Sequence, residues 1–112
     1  MRQYVFNTNH FIKAFNHCSD ILLKQGYEVL DVDRKGFSIE AFIKDNKLYS
    51  RQLHVHLYHD VSDKFCLDVD ARSVSLEMRQ SQQNKRLELN FVRAFHKYVI
   101  EQKGPKSLAQ SA

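Results

Sequence analysis

Tryptophan is absent from this chain, proline occurs once, glycine three times, and no apolar run approaches the ~20 residues that would span a bilayer. Each shortage excludes something. Glycines isolated at positions 26, 36 and 104 provide no glycine-rich loop to cradle the phosphates of a nucleotide. No serine-centred elbow is present either, so classical nucleotide hydrolysis and hydride transfer are not expected. The two cysteines, Cys18 and Cys66, are far apart and form no Cys-x-x-Cys pair, which argues against a disulfide framework and a zinc knuckle. Met1 to Phe6 leads into Asn7, Thr8 and His10 rather than into an apolar stretch, so no signal peptide is expected. Free thiols without an export signal suggest a cytoplasmic setting, with no membrane partner.

What is present is bulky and patterned. Eight Phe and five Tyr supply core material, and 112 residues suffice for one domain that buries about two-thirds of the surface its unfolded chain exposes. The most informative stretch is Arg51 to Asp60, followed by Lys64 to Asp70. Apolar residues recur there at every second position: Leu53, Val55, Leu57, then Phe65, Leu67, Val69. A period of two marks strands buried on one face and wet on the other. The short polar link at 59–64 makes an antiparallel hairpin. Its wet face would carry His54, His56 and Tyr58 beside Cys66, Asp68 and Asp70.

The rest of the chain fits around this hairpin. Tyr4 to Phe6 reads as a short first strand. Asn7, Thr8 and Asn9 offer capping oxygens, and the spacing of Phe11, Ala14, Phe15, Cys18, Ile21 and Leu22 predicts an amphipathic helix ending at Gly26. Tyr27–Asp33 and Phe37–Ile43 read as a second hairpin, with Gly36 in its turn. Pairing Val32 with Phe37 and Leu30 with Ile39 leaves Val29 and Phe42 facing outward. After Val69 the apolar residues shift to even positions at Val74, Leu76 and Met78, which predicts a four-residue turn over Asp70–Ser73 and a further strand, or else a β-bulge. Lys85 to Lys103 forms a second helix with Leu87, Phe91, Ala94, Phe95 and Tyr98 on its apolar stripe, stopped by Gly104 and Pro105. A disordered tail is expected over 106–112.

The predicted fold is thus a single α+β domain over 1–105: a two-layer sandwich in which an antiparallel meander of four to five strands carries an N-terminal and a C-terminal helix on one face. The order resembles that of double-stranded-RNA-binding domains and of the half-repeat of TATA-binding-protein-like folds. No residue motif of either family is present, so the resemblance concerns architecture alone and implies no function.

Two constellations carry chemistry. On the wet face of the hairpin, His56 would stand opposite Asp68 or Cys66, and His54 opposite Asp70 or Asp68, with Glu40 and Glu77 on the neighbouring strands. Imidazole beside carboxylate suits a divalent metal, making His54, His56, Asp68 and Asp70 candidate ligands. It also suits a general base held in one tautomer. Cys66 is a candidate nucleophile beside a histidine.

The second constellation is cationic. Seventeen Lys and Arg against thirteen Asp and Glu give a net charge of +4, which favours anionic partners. Arg34, Lys35, Lys44, Lys47, Lys64 and Arg72 fall in successive turns. Alternate turns of a meander share an end, which would group Arg34, Lys35 and Lys64 at one end and Lys44, Lys47 and Arg72 at the other. Arg86, Arg93 and Lys97 form a stripe on the second helix. Such groups neutralise backbone phosphates. The leading expectation is a small non-catalytic binding or regulatory protein contacting nucleic acid, or an acidic protein, through its basic turns and open sheet face. The alternatives are a protein-interaction module that dimerises or docks through that face, and a metal-dependent enzyme built on the His/Asp set.

Overall fold

The computed structural model describes residues 2–8, 10–44, 50–60, 64–73 and 81–111, the side chains of 44, 50, 73, 81–83 and 102–111 excepted. The described elements are β1 (Arg2–Phe6), α1 (Phe11–Lys24), β2 (Glu28–Asp33), β3 (Ser38–Lys44), β4 (Ser50–His59), β5 (Phe65–Ser73) and α2 (Ser81–Ser111). Five strands form one antiparallel sheet in the order β1-β5-β4-β3-β2. Both helices cover one face, α1 over β2 and α2 over β5 and β1. No helix among the described residues is long and apolar enough to cross a membrane.

Parity builds the core. Leu53, Val55 and Leu57 on β4 pair across with Ala71, Val69 and Leu67 on β5, and all but Ala71 are fully buried. The predicted stripe of α1 is inward at Ala14, Phe15, Cys18, Ile21 and Leu22. Phe91, Phe95 and Val99 of α2 pack onto β5 and β1. The Phe6 and Phe95 rings meet edge to face at 4.8 Å, which fixes α2 against the sheet edge. Gly26 stops α1 as expected. At φ 91° it lets the Tyr27 amide donate to the Leu22 carbonyl (2.9 Å) and its own amide donate to that of Leu23 (3.1 Å), closing the helix end.

Several expectations change. The β2–β3 register pairs Val32 with Ile39 and Val29 with Ala41, with a bulge at Leu30 between them. An extra residue on one strand lets two valines three positions apart both face the core, so Val29 packs inward and Leu30 is the exposed one. In the β2–β3 turn the left-handed residue is Phe37 (φ 56°), not Gly36. At 36 a Cβ would sit 2.7 Å from the Asp33 carboxylate, which accepts the amides of Lys35 and Gly36, so a larger residue there would have to displace that carboxylate. The Phe37 ring, edge-on to Phe11 and Phe15, holds a conformation that costs about 1–3 kcal/mol in isolation.

β5 does not turn at Asp70. Its register with β4 runs unbroken to Ser73, so neither a turn nor a bulge falls over Asp70–Ser73, and Ala71 continues the inward parity. The predicted strand at Val74, Leu76 and Met78 lies outside the described residues. The short first strand expected over Tyr4–Phe6 is present as β1 and pairs with β5. The helix-capping oxygen at α1 is also displaced: Thr8 Oγ1 accepts the His10 amide before the helix begins. Finally, α2 continues through Gly104 and Pro105. Proline inside a helix removes one backbone hydrogen bond and crowds the preceding turn, at a cost of about 3 kcal/mol, so its presence there runs against the local preference that predicted a stop.

Candidate functional site

The open face of the sheet is built in cross-strand rows. Register places Glu40, His54 and Asp70 side by side on β3, β4 and β5, and Ser38, His56 and Asp68 in the next row. His54 Nδ1 lies 2.5 Å from Glu40 Oε1, while Asp70 is held by Arg72 at 2.8 Å. In the outer row Tyr58 donates to Asp68 (3.3 Å), accepts from Gln3 (2.6 Å) and stacks on the His56 ring at 5.2 Å. Burial pushes the Tyr58 phenol up, the Gln3 donor opposes this, and the Asp68 carboxylate adds to the rise.

This arrangement can orient an imidazole. Among the described residues no group of three or more His, Cys, Asp or Glu is placed to hold a metal ion. His54 is joined to Glu40, His56 to Tyr58, and Asp68 and Asp70 have separate partners, so the four candidate ligands stand in two rows rather than around one point. Cys66 is opposite Tyr58 and only 4% exposed. A thiol covered in this way is not an accessible nucleophile.

The cations occupy other places. Arg34 and Lys35 lie in the β2–β3 turn, where Arg34 donates to Asn16 of α1 at 3.3 Å. Lys64 is at the same end of the sheet, beside β5. Arg72 is on the open face, tied to Asp70. Lys44 ends β3, and Lys47 lies outside the described residues. Arg34, Lys35 and Lys64 therefore share one end of the sheet, while Lys44 and Arg72 lie toward the other. Comparison with known proteins matched no family model and no curated sequence at a significant level.

The helix stripe holds together better. Arg86, Arg93 and Lys97 are all exposed, at spacings of seven and four that put them on one side of α2. That side borders the seam with α1. Lys97 and Lys24 line a groove of about 260 Å³ between the helices, floored by Ile21 and Ala94 and flanked by His17 stacked on Tyr98 at 3.8 Å. Arg93 lines a second groove of about 370 Å³ with Gln25, Tyr27 and Leu87. Gln25 bridges the two helices by donating to the Asn90 carbonyl at 3.2 Å. Burial lowers the pKa of His17, with Lys24 adding to the effect and Asp20 and Glu101 opposing it.

Sequence reasoning missed three residues here. Lys24 shows no signal beyond its place in the last turn of α1. Arg51 and Glu88 did carry one: each is a charge at a position of apolar parity, Arg51 two before Leu53 and Glu88 three before Phe91. Both are buried, and Glu88 accepts the amide of Ala71 at 2.8 Å, just past Val69 where pairing with β1 stops. The carboxylate thus satisfies an N–H that the sheet leaves without a strand partner.

Proposed function

We propose that the protein is a non-catalytic binding module that holds the backbone of a nucleic acid along the seam between α1 and α2. The observation that carries this reading is the partition of charge between the two faces. Exposed cations on the helix layer include Lys13, Lys24, Lys85, Arg86, Arg93 and Lys97, against exposed Asp20 and Glu101. The open sheet face instead carries Glu28, Asp31, Glu40, Asp68 and Asp70. A phosphate chain is attracted to the first surface and repelled by the second, so the seam replaces the open face and the turns as the nucleic-acid surface.

Spacing supports the same reading. From Arg86 to Lys97 the helix advances roughly 16 Å at 1.5 Å per residue. Successive phosphates along one strand are about 3.4 Å apart in axial rise, so the three cations of α2 can meet separate phosphates. No side chain of the stripe offers a pattern for reading base edges, which implies binding without strong sequence preference.

Fluorescence anisotropy with labelled single-stranded and duplex oligonucleotides, titrated from low to physiological salt, tests this reading. Affinity should fall steeply with salt. Arg93→Glu combined with Lys97→Glu should weaken binding at least tenfold and flatten the salt slope by about one for each phosphate left without its cation. Absence of binding at low salt, or a flat salt response, overturns it.

A further inference from the structure

The face that repels phosphate has its own chemistry. Helices leave it uncovered, and register brings carboxylates from three strands separated in sequence into adjoining rows: Glu28 and Asp31 on β2, Glu40 on β3, Asp68 and Asp70 on β5. Among the described residues, the cations sharing this face are Arg72 and, at its edge by register, Lys44. Flat rings stand among the acids. Tyr58 stacked on His56 lies beside Asp68, and half-exposed Phe42 is opposite Glu28. A shallow trough of about 200 Å³ runs between the rows, bounded by Glu40, Gln52, His54, Asp70 and Arg72.

We propose that this open sheet face docks an arginine-rich segment of a partner protein, laid across the strands. Charge complementarity identifies the occupant as cationic, and the mixture of acids with rings identifies the cation. A guanidinium is planar, donates two parallel hydrogen bonds to a carboxylate and stacks on an aromatic face. A lysine ammonium is a strongly hydrated point charge that gains less from the rings. The inner carboxylates are already oriented by neighbours, Asp68 by Tyr58 and Asp70 by Arg72, so they present fixed rather than floppy acceptors. The inference is independent of the helix-seam reading, because its test contains no nucleic acid.

The probe is a fluorescein-labelled nona-arginine peptide titrated with the full chain at low salt, with nona-lysine as comparison. Saturable one-to-one binding is expected, at least several-fold tighter for arginine than for lysine. Glu40→Gln with Asp70→Asn should weaken it at least tenfold. A second pair, Asp31→Asn with Asp68→Asn, leaves the Glu40–His54 and Asp70–Arg72 contacts intact and should weaken it by a similar factor. A charge-matched control that neutralises two acids of the helix layer, Asp20→Asn with Glu101→Gln, should change it less than twofold. The proposal fails if no saturable binding occurs, if lysine binds as well as arginine, or if the control weakens binding as much as the sheet-face pairs.

Discussion

The two faces of one sheet are made by the same strands and obey opposite rules. On the helix-covered face Leu53, Val55, Leu57, Leu67 and Val69 are all fully buried, and none of these side chains has a polar group to satisfy. One residue away in each case, His54, His56, Tyr58, Asp68 and Asp70 are partly exposed and held in side-chain rows. Area removed from water stabilises the first face at about 25 cal/mol per Å². The second face consists of half-exposed pairs, each contributing at most about 1 kcal/mol. Stability therefore lies under the helices.

Substitutions can break or sharpen this contrast. Leu57→Ala, at the centre of the covered face, should lower unfolding free energy by about 2–5 kcal/mol, read as a shift in the urea midpoint. A cost under about 1 kcal/mol would mean that the core is not where the parity places it. Glu88→Ala removes the acceptor for the Ala71 amide and should cost about 1–3 kcal/mol by the same measurement. Glu88→Gln, which keeps an acceptor oxygen, should cost less.

Smaller effects test the helix seam and the open face. His17 is half-buried against Tyr98 and holds its proton less readily than a free histidine. The unfolded chain therefore takes up that proton first as pH falls. The stability that His17 contributes is fully present above about pH 6.5 and is lost as pH drops from there toward the lowered native value. Thermal melts of the wild type and of His17→Asn should diverge in that window and run parallel above it. On the open face His54→Ala should change stability by less than about 1 kcal/mol, because the Glu40–His54 pair is some 40% exposed on both sides. A loss several times larger would show the rows to be structural and would remove the contrast.

Much of the fold is legible in local patterns. The spacing of Phe11 through Leu22 forecasts α1 and its buried side, and the alternation from Leu53 to Val69 forecasts β4, β5 and the facing of His54, His56, Asp68 and Asp70. Features that need two segments at once are less legible. The bulge at Leu30 depends on how β2 meets β3, and either parity of Val29-Leu-Asp-Val32 satisfies the local pattern. The continuation of β5 through Ala71 follows from its pairing with Leu53, although Asp70-Ala-Arg-Ser73 reads as a turn in isolation. Cys66 has wet-face parity yet is covered by its neighbours. Among the basic turn residues, Arg34, Lys35 and Lys64 fall at one end of the sheet and Lys44 at the other, because alternate turns of a meander share an end and successive turns do not.

The sequence by itself determined which side of each helix and of the central hairpin would be apolar, because periods of 3.6 and 2 are local properties of the backbone. Tertiary structure alone decided that carboxylates from β2, β3 and β5 would share one face while Lys24, Arg93 and Lys97 lined the seam on the other. Charge acts through space, and its distribution over a surface is set by strand order and register rather than by position along the chain.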